Sequence, residues 1–180
     1  MTVVTRTGET AGQAAGKRTE IAFLLAQLGA LAAGQFGERA AALGFSRPQA
    51  GLLRLIGRQP GLSQQAVAAR LGTPPSRLVA LVDDLEQRGL VERRRNRQDR
   101  RNYALQLTAT GTEALHHLDT AAAEHEQAIA GPLTGTERVQ LNSLLARLAA
   151  GHQLQPGIHP GFRHLPEPAG QRPSPPVRRG

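Results

Sequence analysis

Seven arginines crowd the stretch from Arg88 to Arg101, opposed there only by Glu92 and Asp99. The chemistry open to that pattern is recognition of a polyanion. Guanidinium groups displace the counterions condensed on a phosphate backbone and insert into a narrow minor groove. Beyond them Tyr103, Leu105 and Leu107 alternate with small or polar neighbours, the two-residue period of a half-buried strand. Charge at a hairpin tip with apolar residues only at its base describes a wing. The competing reading is an edge hairpin that its charges protect from aggregation.

A wing acts only if something aligns it, and the segments before it supply a frame of helices. A first helix is expected from about Thr19 to Leu43, ended by Gly44. A second begins at the capping residue Ser46 and stops at Gln59-Pro60-Gly61. The third opens at Ser63, with Leu62 and Val67 placed as a hydrophobic staple, and closes at Gly72 after little more than two turns. Because a residue before proline is pushed out of the α region, the fourth starts at Pro75; its inner stripe is Leu78, Leu81, Val82 and Leu85. After the hairpin, a fifth helix runs from about Ala109 to Ala130. A sixth is capped by Thr134 with Glu137 at its third position, a capping box.

A short helix, a tight turn, a second amphipathic helix and a basic hairpin make a winged helix-turn-helix. In it the second helix presents its first turns to base edges in the major groove and the wing reaches the neighbouring backbone or minor groove. Opposite the leucine stripe lie Ser76, Ala80, Asp83 and Gln87, flanked by Arg77 and Val79. Arg77 and Ser76 are the candidates for base edges, with Ala80 and Val79 small enough to meet a thymine methyl. Gln64 and Gln65 occupy the first turn of the preceding helix, where free backbone N–H groups attract phosphate; ordinary surface roles account for them equally well.

The strings PGLSQQAVAARLG, SRLVALVDDLEQRGLVERR and DRRNYALQLTATG together resemble the MarR family of bacterial regulators. The last fits the family's wing pattern D-x-R-x-x-x-L-x-L-T-x-x-G at Asp99, Arg101, Leu105, Leu107, Thr108 and Gly111. The similarity extends from about Ile21 to Leu148. It implies that Arg101 enters the minor groove with Asp99 orienting it, and that Pro75, Ser76, Arg77 and Ala80 lie at recognition-helix positions. Arg94, Arg95, Arg97 and Arg100 complete the expected DNA-binding set. Ala80 and Asp84 depart from the basic or polar residues common at those positions, and Asp84 would repel phosphate unless a wing arginine pairs with it.

The resemblance also implies a homodimer in which the first, fifth and sixth helices interlock. The residues agree, since a lone monomer would leave the apolar first and sixth helices poorly covered. The expected fold is therefore mainly α with a two-stranded β-wing: a winged helix-turn-helix over 46–108, with dimerisation helices over 19–44 and 109–150. A disordered N-terminal tail over 1–18 and a disordered Pro/Gly-rich tail over 151–180 flank that 19–150 domain. Two-fold symmetry implies double-stranded DNA with a pseudo-palindromic operator as partner. Many relatives are repressors that release DNA when a small lipophilic or aromatic acid binds. Here Phe36, Arg39, Phe45 and Arg54 lie in segments that can line such a pocket, although core packing accounts for both phenylalanines as well.

Composition sets outer limits. A chain of 180 residues with 22 Lys+Arg against 14 Asp+Glu carries +8, which favours an acidic partner. With no cysteine it has no disulfide, thiolate nucleophile or thiol redox switch. His116 and His117 are adjacent and point about 100° apart on a helix, so they cannot share a metal. Glu113 with His117 lacks a third ligand. Neither a metal nor another cofactor is expected. No Gly-rich phosphate loop, GxSxG or HExxH occurs, so an enzyme is not expected either. Ile21 to Gly37 is uncharged, yet it is about a turn short of a bilayer span and holds Gln27 and Gln35. A cytoplasmic protein without membrane contact is expected. The alternative function is a ligand-independent architectural or protein-interaction winged helix, against which the arginine-rich wing argues.

Overall fold

A computed structural model describes residues 20–95, 103–159 and 161–162. Its elements are α1 (Ile21–Ala42), α2 (Arg47–Arg58), α3 (Gln64–Leu71), α4 (Pro75–Gln87), β1 (Val91–Arg95), β2 (Tyr103–Leu107), α5 (Ala109–Ala130) and α6 (Gly135–Gly151). Local chemistry sets most boundaries. Ser46 Oγ accepts the Gln49 N–H at 3.4 Å while Gln49 Oε1 accepts the Ser46 N–H at 2.6 Å, so α2 starts in a capping box. Ser63 Oγ accepts the Ala66 N–H at 3.1 Å to start α3, and Gly72 ends it at a φ of 62°. Pro74 stays extended outside α4, and Pro75 is its first residue.

The core belongs to the helix-turn-helix. Leu52, Leu53 and Ile56 of α2, Val67 of α3, and Leu78, Val82 and Leu85 of α4 are buried against Val91, Leu105 and Leu118. Leu81, expected in the same stripe, is half-buried and packs against this cluster. At the start of α5, Gly111 leaves no room for a side chain: a Cβ there would lie 1.9 Å from the Leu90 carbonyl oxygen. Thr108 locks the same corner, its hydroxyl donating to Gly89 O at 2.6 Å and accepting from the Gly111 N–H at 2.9 Å.

β1 and β2 pair antiparallel, with Val91 opposite Leu107 and Arg95 opposite Tyr103. A bridge from Ser63 to Ala104, with the Leu105 N–H donating to Leu62 O, joins the hairpin base to the entry of α3. That bridge alters the expected alternation. Ala104 is buried beneath it, Leu105 is buried, and Tyr103 is 48% exposed near the described end of the strand.

α1 and α6 contrast with this lobe. Ala40 is the sole buried residue of α1, and α6 has none. Leu24, Leu25, Leu28 and Leu31 on α1, and Leu141, Leu144, Leu145 and Leu148 on α6, are all exposed. By length and hydropathy α1 is also apolar enough to cross a membrane. The expectation for the C-terminal tail needs correction at its start. After α6 the chain turns back, and Phe162 is buried in the core with Ile158 packed beside it. A Pro/Gly-rich composition hides this because two apolar residues suffice to anchor a short segment. The expected N-terminal tail over 1–18 and the remainder of the C-terminal one lie outside the described residues.

Candidate nucleic-acid interface

Pro75, Ser76 and Ala80 are exposed on the first turns of α4, and Val79 is 40% exposed beside them. Arg77 is half-buried on the same turns and engaged by a neighbouring group. This end of the helix carries the partial positive charge of unsatisfied N–H groups. It has no acidic residue in its first turn.

The acidic residues of α4 lie toward its other end, and each has a partner. Arg93 on β1, only partly exposed, makes ion pairs with both Asp83 and Glu86, while its Nε donates to Gln64 Oε1 at 3.3 Å. One guanidinium thus ties the base of the wing to α4 and to the first turn of α3. Asp84 accepts from Gln49 Nε2 at 2.5 Å and lies 3.9 Å from Arg88. Its charge is therefore met by α2 and by its own helix rather than by a wing arginine.

Among the wing arginines, Arg94 pairs with Glu92 at 2.7 Å yet stays largely exposed, and Arg95 is exposed. Arg97, Asp99, Arg100 and Arg101 lie outside the described residues. Gln64 has a partner in Arg93, which gives it a bracing role beside any phosphate contact. Arg93 and its carboxylates were missed in the sequence because nothing in a run of arginines tells which of them turns inward. The two-residue offset from buried Val91 was the available signal.

The residues expected around a small ligand separate. Phe45 is buried with the Arg88 guanidinium 4.5 Å above its ring, and Arg54 Nε donates to Asp119 at 2.8 Å. Phe36 and Arg39, one turn apart on α1, stay together. The Phe36 ring is 5.9 Å from that of His125 on α5. Arg39 Nε and His125 Nδ1 are both buried without a hydrogen-bond partner among the described residues. His125 was not singled out from sequence, since only the packing of α1 on α5 brings it to Phe36.

Comparison with known proteins agrees with this geometry. Residues 43–102, from the end of α1 through β1 and up to the start of β2, match the model of the MarR family. A putative transcriptional regulatory protein for the hcr operon of Thauera aromatica is 38% identical over 98 residues, 54% of this chain and 59% of that protein. The chain thus spans about three fifths of that relative's length. The repressor CouR of Rhodococcus jostii RHA1, solved on a 23-mer DNA duplex, superposes with a TM-score of 0.64 at 31% identity, covering 72% of this chain and 92% of CouR. CouR bound to p-coumaroyl-CoA gives 0.63 at 30% identity, covering 73% and 92%. With residues 43–102 matched to the family's own model and its helices following CouR along nearly all of that repressor's length, the chain belongs to the MarR family of winged-helix transcriptional regulators.

Proposed function

We propose that the chain is a sequence-specific DNA-binding transcriptional regulator, a homodimeric repressor whose hold on its operator is relieved by a small lipophilic or aromatic ligand. The observation that carries this is the brace at Arg93. It neutralises the carboxylates of α4 and presents the exposed Pro75, Ser76 and Ala80 face beside an arginine-rich strand. Pro75, Ser76, Arg77 and Ala80 read the major groove, and the wing set of Arg94, Arg95, Arg97, Arg100 and Arg101, with Asp99 orienting Arg101, meets the minor groove and backbone. The solved complex of CouR with a DNA duplex, at 31% identity, supports this mode of binding.

Two copies pair through the exposed leucines of α1 and α6, an arrangement that covers both faces at once and suits a cytoplasmic protein better than a lone α1 in a bilayer. The ligand reading rests on Phe36, Arg39 and His125: an aromatic ring beside two buried, unpartnered nitrogens suits a carboxylate attached to a flat apolar group. Phe45 and Arg54, each already engaged, are supporting residues in this scheme.

Selection of bound sequences from a random duplex pool at about 0.15 M salt, where non-specific binding is weak, tests the central claim. An enriched near-palindrome is expected. Retention without enrichment would leave an architectural winged helix in its place.

A further inference from the structure

The C-terminus of α6 does not run free. Gln153 adopts a φ of 54°, the left-handed conformation that residues with a Cβ rarely take, and the Leu154 N–H donates back to Ala149 O at 3.0 Å. A second turn at Gly157, with a φ of 73°, brings the chain beside Arg58 at the end of α2. Five residues later Phe162, 6% exposed, seats its ring over Gly51 in the middle of α2. A Cβ on Gly51 would lie 2.6 Å from the ring's Cζ, so the absence of a side chain there makes the seat. Between these anchors a cavity of about 350 Å³ separates Leu154, Ile158 and His159 from the last turn of α3 at Arg70, Leu71 and Gly72.

We propose that residues 154–159 and 161–162 form a docking strap: a segment that occupies a groove on α2 and α3 and fixes the helix-turn-helix to the C-terminal helix. Three observations converge on this. A mid-helix glycine, which costs helix stability, lies directly under the ring. α6 has no buried residue of its own, so the strap is the apolar contact that holds its end to the lobe. Across the cavity the strap faces Gly72, the turn between α3 and α4, so its docking is expected to steady the recognition helix. The cavity beside Leu154 and His159 leaves the strap held chiefly at Ile158 and Phe162, as befits an element that can be released without unfolding the lobe. Its functional consequence, pre-organisation of α4 for an operator, rests on the DNA-binding reading; its docking does not.

Hydrogen exchange on the full-length protein without DNA tests the docking. Phe162→Ser removes the anchor. Gly51→Ala removes the seat while raising the helix propensity of α2, and therefore keeps the lobe folded. Both variants are expected to lose about tenfold or more of the protection of α2 and of the last turn of α3, the scale of releasing one buried aromatic ring. Unchanged circular dichroism would accompany that loss. Equal protection in parent and variants would overturn the strap. Operator affinity, measured on the duplex enriched by the parent, is expected to fall several-fold in both; loss of protection with unchanged affinity would overturn the coupling to DNA. If the parent enriches no duplex, the DNA-binding reading fails while exchange still decides the docking.

Discussion

At the scale of single residues, the arginines of the wing divide by what opposes them. Arg93 faces Asp83 and Glu86, whereas Arg94 has one exposed partner and Arg95 lies at the outer end of the strand. A residue that contacts phosphate contributes about 0.9 to the slope of log K against log salt, and one that braces contributes to affinity without it. Arg94→Ala and Arg101→Ala are therefore expected to flatten the slope by about one unit each and to weaken all sequences alike. Arg77→Ala should relax base preference as well, costing about 1–3 kcal/mol at the base it reads. Arg93→Ala should lower affinity with the salt slope unchanged. Titrations of operator and scrambled duplex at several salt concentrations separate the classes; a flattened slope for Arg93→Ala would make it a phosphate contact instead. The sequence could supply the run of arginines and the expectation of a phosphate partner, but not this division. Which side chain turns inward depends on the partner strand and on carboxylates about seven to ten positions away in the chain, as Arg93 with Glu86 and Asp83 shows.

At the scale of elements, what was legible was local. Ser46, Ser63, Thr134 and Gly72 each begin or end a helix through bonds made within a few residues, Pro75 begins one through its fixed φ, and each does so in the structure. Ala104 was not legible, because its burial comes from the bridge to Ser63. The cluster at Phe36 shows the same limit: Phe36 and Arg39 share a face of α1, but His125 joins Phe36 only through the packing of α5. The capping box of α6 yields a prediction. Hydrogen bonds from the Thr134 backbone and hydroxyl hold the Glu137 carboxyl below its ordinary value of 4.5. A depressed folded-state pKa stabilises above the unfolded value and is lost as pH falls through the folded one. The parent is thus expected to lose a small increment of thermal stability below about pH 4.5 that Glu137→Gln does not lose, read from melting curves between pH 3 and 7. Gly111→Ala should act at any pH. A Cβ 1.9 Å from the Leu90 carbonyl forces α5 away from the wing base, an overpacking cost of about 2 kcal/mol or more in denaturant titration.

At the scale of the whole molecule, the lobe has a packed core while α1 and α6 have almost none. Exposed large apolar residues on α1 and α6 number too many for a monomeric surface, with Leu28 at 53%, Leu144 at 54% and Leu148 at 45% exposure. Both helices belong to the same copy, so in the proposed dimer a symmetric partner offers each face a matching apolar one and closes the assembly at two chains. The consequence for DNA is geometric. On that proposal, half-sites about 10 bp apart are read only if the two recognition helices are held at that spacing, so dimerisation and specific binding are expected to fail together. A charge placed in the seam separates this from the membrane alternative for α1, because it breaks a dimer while leaving the lobe's core untouched. Leu144→Glu with Leu28→Glu is expected to elute as a folded monomer, with near-parental circular dichroism for the helix-turn-helix. Its operator affinity should drop toward that of non-specific duplex, at least about a hundredfold. A double variant that stayed dimeric would move the interface away from α1 and α6. A monomer that still bound the full operator with parental affinity would mean that each lobe reads its half-site alone, and that the two-fold arrangement contributes nothing to recognition.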